Sequence, residues 1–157
     1  RTPIGTEDLR DSVIDVAREE VEKNKVVPLE VGSYGELALR SKKDGLTPDH
    51  IPSFASIREY VEESIGRKLN TLQLKQLRDS TVTIVVPTRM HQQLSRTYGG
   101  RNTPQQITQD RQNLRDAAQK DLEKYRETFL QRGVGSKKID EIFQKVHNEN
   151  IKKGWYK

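Results

Sequence analysis

Apolar residues recur along this chain with a period that switches between helical and extended, and the switches divide it into elements. Leu9, Val13, Val16, Ala17 and Val21 share one helical face behind Thr6, a capping residue followed by Glu7 and Asp8, and Glu22-Lys23-Asn24 end that segment. Val26 to Gly32 predicts a short edge strand or extended arm, because Pro28 cannot donate to a central ladder. Ser33 to Leu39 predicts a short helix, and Ser41 to Pro48 a loop rich in Gly, Pro and charge. Ile57, Tyr60, Val61 and Ile65 then mark a helix that stops near Gly66, and Asn70 caps another that begins at Thr71. Thr81 to Val86 is the clearest buried-strand pattern in the chain.

Beyond Pro87, Thr88 is placed to cap a helical turn that carries Arg89, His91, Gln92 and Leu94 before Tyr98-Gly99-Gly100 breaks it. Thr103-Pro104-Gln105-Gln106 reads as a capping box that opens one long helix. Its apolar stripe is Ile107, Leu114, Ala118, Leu122, Tyr125 and Phe129, and Gly133 closes it. Ser136 is expected to cap a last helix with Ile139, Ile142, Phe143, Val146 and Ile151 on its face, and Trp155-Tyr156 follow as a tail. The sum is an α+β fold, mostly helical, with a sheet of two or three strands. Residues 1–157 are expected to form a single domain: an N-terminal helix and arm (1–28), a central region with the candidate chemistry (45–102) and a helical scaffold (103–157).

Composition narrows the chemistry. No apolar run reaches the roughly 20 residues of a membrane span. With no cysteine, disulfides and thiolate metal ligands are excluded, so a metal would be held by His, carboxylate, amide or water. A net charge of +5 favours a polyanionic partner. From Ser80 to Gln109 there is no Asp or Glu, while Arg89, His91, Arg96 and Arg101 all fall in that stretch. Gly99-Gly100 reads as a plain turn or as a close approach of backbone to phosphate. The chain starts at Arg1 and holds Met90 as its one methionine, which predicts a piece of something longer.

Two of the three histidines stand in strongly punctuated contexts, His50 in Thr47-Pro48-Asp49-His50-Ile51-Pro52-Ser53 and His91 one turn beyond the strand. Hydrolysis of a phosphodiester needs a deprotonated water, a Lewis acid on the phosphate and charge support for the leaving oxygen; histidine, a divalent metal and arginine supply these. Adjacent side chains on extended backbone leave toward opposite sides, so one of Asp49 and His50 can face a metal while the other faces a water. The third histidine, His147, sits beside Asn148 and Asn150 and is read as solvated. Trp155 and Tyr156 can stack a base or dock a partner, a packed tail being the simpler account.

Asp49-His50-Ile51-Pro52, then Ile84-Val85-Val86-Pro87, then His91 and Ser95-Arg96-Thr97-Tyr98-Gly99-Gly100-Arg101-Asn102, resembles the His-Me finger (HNH-like) nucleases, in particular toxin domains at the C-termini of bacterial polymorphic toxins. The resemblance covers about Gly45 to Asn102 and implies a ββα-metal-like site. It implies His50 as general base, Asp49 and His91 as metal ligands, and Arg96 or Arg101 as phosphate contacts in catalysis, with Arg89, Arg96, Arg101 and Tyr98 along the nucleic acid. No Asn fills the family's middle position, which leaves open what orients His50, and Ser95 stands where a second helical histidine would be. Two side-chain ligands with waters suit Mg²⁺, with Zn²⁺ or Mn²⁺ as further options.

The function expected from this resemblance is a metal-dependent endonuclease toxin, a DNase ahead of an RNase, acting as a monomer. It would be delivered as part of a larger secreted protein into a competitor's cytoplasm and blocked by a cognate immunity protein. A metal-independent RNase toxin using His50 and His91 as base and acid is the alternative enzyme. A non-catalytic nucleic-acid or protein-binding module is the alternative from another class.

Overall fold

The computed structural model describes residues 25–41 and 44–156; the helix expected from Thr6 onward lies outside them. Among the described residues the order is β1 (Val31–Ser33), α1 (Tyr34–Arg40), β2 (Leu46–His50), α2 (Phe54–Ile65), α3 (Thr71–Ser80), β3 (Val82–Pro87), α4 (Thr88–Leu94), a 3-10 turn (Gly99–Arg101), α5 (Pro104–Gln112), α6 (Leu114–Gln131) and α7 (Ser136–Lys153). No helix among them is long and apolar enough to cross a membrane.

The three strands form one antiparallel sheet in the order β1-β3-β2. The β-branched run takes the centre, where both faces are covered, and Val82 to Val86 are all buried. Alternate residues serve alternate faces. Val82, Ile84 and Val86 join Leu122, Tyr125 and Phe129 of α6 and Ile139, Phe143 and Val146 of α7, whereas Val85 packs with Val26 and Leu37 on the other side. The expected α+β class, mostly helical with a small sheet, is the observed one.

Four local expectations are corrected. Leu46 to Pro48 belong to β2 rather than to a loop; β2 is an edge strand, which accepts Pro48 without losing a ladder bond it must make. Thr88 does not cap α4, because its hydroxyl bonds the Thr47 hydroxyl at 2.6 Å. The single long helix is two, broken at Asn113, whose side chain accepts the Asp116 N–H and so starts α6 afresh. Ser136 is the first residue of α7 and Gly135 its cap, with no side-chain bond.

The break at Asn113 has a consequence for the interior. It lets α5 turn so that Asp110 is buried toward Arg96 while its neighbour Arg111 reaches Glu59 of α2 at 3.0 Å. At the other end of the sheet, the buried Asn150 of α7 donates to the Ile51 carbonyl at 2.9 Å, fixing the chain that leaves β2 against α7. Gly35 permits α1 to approach α3, since a Cβ there would lie 3.0 Å from that of Asp79.

Candidate active site

Strand alternation sends Asp49 and His50 to opposite faces of the sheet, as their adjacency predicts. Asp49 lies opposite Ile84 and points toward α6; His50 lies opposite Thr83 and points toward α1 and α2. What each meets there differs.

Asp49 is buried, and two side chains converge on it. The Tyr125 hydroxyl donates to Oδ2 at 2.6 Å, and His91 Nδ1 stands 3.4 Å from Oδ1. Tyr125 and His91 also touch, with the hydroxyl 3.3 Å from Nδ1. Burial first, then the charge of Asp49 and the bond to it, push the Tyr125 phenol far above its ordinary range, so it acts as a permanent donor. Ser95, in the position of the missing second histidine, is buried, with its hydroxyl 3.1 Å from that of Thr97.

Behind this trio lies a buried ion network. Arg96 reaches Asp110 and Asp121, each at 2.7 Å, and its guanidinium also donates to the Ala117 carbonyl at 3.4 Å. Burial works against the Arg96 cation, but the two aspartates outweigh it and hold its proton more firmly. One guanidinium serves a neighbourhood of three carboxylates. Asp121 is accordingly pushed up to about 8, by burial first, with Arg96 opposing and Asp49 and Asp110 adding to the rise. The structure thus turns Arg96 inward, because two buried carboxylates hold it.

Arg101 and Tyr98 remain at the surface. Arg101 donates to the carbonyls of Gln92 and Gln93 at the end of α4 and lies 5.4 Å over the Tyr98 ring. Tyr98 in turn meets the His91 ring edge-on at 5.3 Å. Arg89 is exposed on α4. Tyr98 and Arg101 rim the His91 side of the cluster.

On the opposite face His50 stacks on Tyr34 with ring centroids 4.5 Å apart, and Phe54 stands 6.1 Å away with Arg78 over its ring. The Nε2 atom is enclosed and has no hydrogen-bond partner. Burial first, opposed by Asp49 and assisted by Arg78 and His91, lowers His50 to about 4, so the ring is neutral at physiological pH.

A depressed folded-state value means that the contribution of His50 to stability is complete above about 6.5 and is lost as pH falls toward about 4. Thermal unfolding is therefore expected to show a loss of stability across that window, up to roughly 3 kcal/mol, that His50→Phe largely removes. A pH profile unchanged by that substitution would contradict the burial account.

His147 corrects another expectation. It is buried rather than solvated, with Nε2 2.7 Å from Gln119 Oε1 and Nδ1 2.6 Å from the Tyr156 hydroxyl. Because Gln119 Oε1 can only accept, Nε2 carries the hydrogen and Nδ1 accepts from Tyr156. Burial first, then Arg115, lowers its pKa. The residue is part of the core that seats the C-terminal segment.

Tyr125 and Asp121 entered the sequence reading only as a stripe member and not at all, respectively. Asp121 had a signal: with Leu114, Ala118 and Tyr125 it lies on the buried face of α6, and an acid there needs a partner. Asp110 and Tyr34 carried no such mark.

A divalent metal has a partial fit. Asp49 and His91 offer one oxygen and one nitrogen 3.4 Å apart, a spacing that two ligands of one small cation can adopt. Among the described residues no group of three or more His, Asp or Glu side chains gathers for a metal, so water would complete the shell. Such a site would be open, with two protein ligands, rather than closed by the chain.

No family model and no solved structure matches the chain. It is 37% identical over 139 residues to a protein named deoxyribonuclease CdiA from Dickeya dadantii (strain 3937), an alignment that takes in 88% of this chain. The aligned stretch, and with it this chain, spans about 4% of the length of that curated relative.

Proposed function

We propose that the chain is a deoxyribonuclease domain and that Asp49 and His91 form the heart of its reaction centre. The observation that carries the reading is the convergence of these two side chains, from β2 and α4, within 3.4 Å at the edge of the sheet. β2, β3 and α4 supply the two antiparallel strands and following helix of a ββα arrangement. The similarity to a protein named a deoxyribonuclease favours DNA over RNA as substrate.

In this reading Asp49 and His91 hold a divalent ion, which when bound supplies the Lewis acidity that stabilises charge on the scissile phosphate. Tyr125 keeps the Asp49 carboxylate oriented by donating to Oδ2, leaving Oδ1 directed at His91. His50, the general base expected from the sequence, is enclosed on the opposite face of the sheet from Asp49 and His91, so it does not reach a water at that ion. Tyr34 and Phe54 fix its ring plane there. Arg101, Arg89 and Tyr98 position the DNA backbone. The metal-independent alternative gains nothing from the geometry, because His50 and His91 project from opposite faces of the sheet and do not flank one phosphate.

The relative's length and the resemblance to polymorphic toxins support a wider reading: the domain is the delivered part of a large bacterial protein, acts in a competitor's cytoplasm and has an immunity protein. The purified chain, incubated with plasmid DNA and with total RNA in Mg²⁺ or EDTA, tests the enzymatic core. DNA cutting that EDTA stops is the expected result; EDTA-resistant cutting of RNA would overturn it.

A further inference from the structure

Trp155 is the single tryptophan of the chain, and its indole N–H is buried without a hydrogen-bond partner. Trp155 lines a cleft of about 630 Å³ together with Tyr60, Asn113, Arg111, Arg115 and Tyr156. Neither Asp49 nor His91 belongs to this lining.

The cleft combines three chemistries. Tyr60 meets Trp155 edge-on with centroids 6.5 Å apart, and the Arg115 guanidinium lies 5.4 Å over the Tyr156 ring, which gives it aromatic and cation–π surface. Arg111 is neutralised by Glu59 and Glu63, whereas the exposed Arg115 rests on an aromatic face and keeps its N–H groups for an anion. The Asn113 amide offers hydrogen bonds to a planar heterocycle. A stacking platform, a base-edge donor and an arginine are what one nucleotide requires, and a volume of about 630 Å³ suits a compact ligand better than a flat protein surface.

The fold ties this cleft to the reaction centre. Asp110 of α5 holds Arg96 beneath Asp49, and the next residue, Arg111, forms the cleft wall. Tyr156 accepts from Asn150, whose amide also holds the Ile51 carbonyl just after His50.

We propose that the Trp155 cleft binds a single unpaired nucleotide of the DNA substrate, its base against Trp155 and its phosphate at Arg115, outside the nucleotides being cut. The inference rests on the deoxyribonuclease reading and names a substrate subsite for it.

Because Trp155 is the only tryptophan, its fluorescence reports the cleft directly. The whole chain in EDTA is titrated with a short single-stranded oligodeoxynucleotide, with the same sequence as a duplex, and with dAMP. Saturable quenching by the single strand, weaker quenching by dAMP and little by the duplex is the expected result. Arg115→Ala, an exposed change, should weaken single-strand affinity at least roughly fivefold, and Trp155→Ala should do the same to a labelled strand followed by anisotropy. No response of Trp155 to the single strand overturns the proposal, as does an equal response to the duplex or a response to dAMP alone. Plasmid cutting by the same preparations keeps the two readings apart: cutting without a Trp155 response removes the subsite only, and a Trp155 response without cutting removes the nuclease reading only.

Discussion

Asp49→Asn is expected to abolish DNA cleavage, lowering the rate by roughly 10²- to 10⁴-fold, the range for loss of a residue acting directly on the reacting groups. Asn is nearly isosteric, and its amide oxygen can still accept the Tyr125 hydroxyl that now reaches Oδ2 at 2.6 Å. The fold should therefore survive while the charge that faces His91 is gone. Unchanged cleavage by a folded Asp49→Asn protein would remove Asp49 from the mechanism. A smaller loss, near tenfold, from Tyr125→Phe would match a positioning role, because the phenol touches Asp49 and His91 and not the substrate.

The second large effect concerns stability. Arg96→Ala leaves Asp110 and Asp121 buried without their shared guanidinium, close to Asp49, and breaking such a pair costs about 3–5 kcal/mol. At roughly 2–4 °C per kcal/mol for a chain of this size, the melting temperature should fall by on the order of 10 °C. The loss should be greater at pH 8 than at pH 5, since Asp121, pushed up to about 8 by burial, is protonated at the lower pH and leaves less buried charge to strand. Arg96→Lys should restore only part of it, because an ammonium does not span two carboxylates as a guanidinium fork does. Arg101→Ala should leave the melting temperature nearly unmoved and weaken DNA binding with a shallower salt dependence. The reverse assignment, with Arg96→Ala harmless to stability and costly only to binding, would contradict the network.

The contrast between these arginines marks how far the linear pattern could be read. The β-branched run from Thr81, the Asn70 cap and the stop at Gly66 act within a few residues, and each took its expected form. Asp49 and His91 were legible because a strand edge and the helix after the next strand bring them together by local geometry. The carboxylate-free stretch from Ser80 to Gln109 misled in part. It suggested a uniformly cationic surface, yet Asp110 and Asp121 lie just beyond it and fold back onto Arg96. The Asn113 break was hidden because Asn is poor but tolerable inside a helix, and only the pull of Arg96 on one side and Glu59 on the other decides for a corner. His147 looked solvated among asparagines, whereas Asn150 is itself buried and donates its amide N–H to the Ile51 carbonyl.

The central claim is that Asp49 and His91 hold one divalent ion at the reaction centre, and Mn²⁺ binding followed by electron paramagnetic resonance tests it most directly, since it requires no turnover. The native chain should bind one ion, and folded Asp49→Asn and His91→Ala proteins should each lose that binding together with DNA cleavage. Mn²⁺ binding of native strength in both variants would contradict the account.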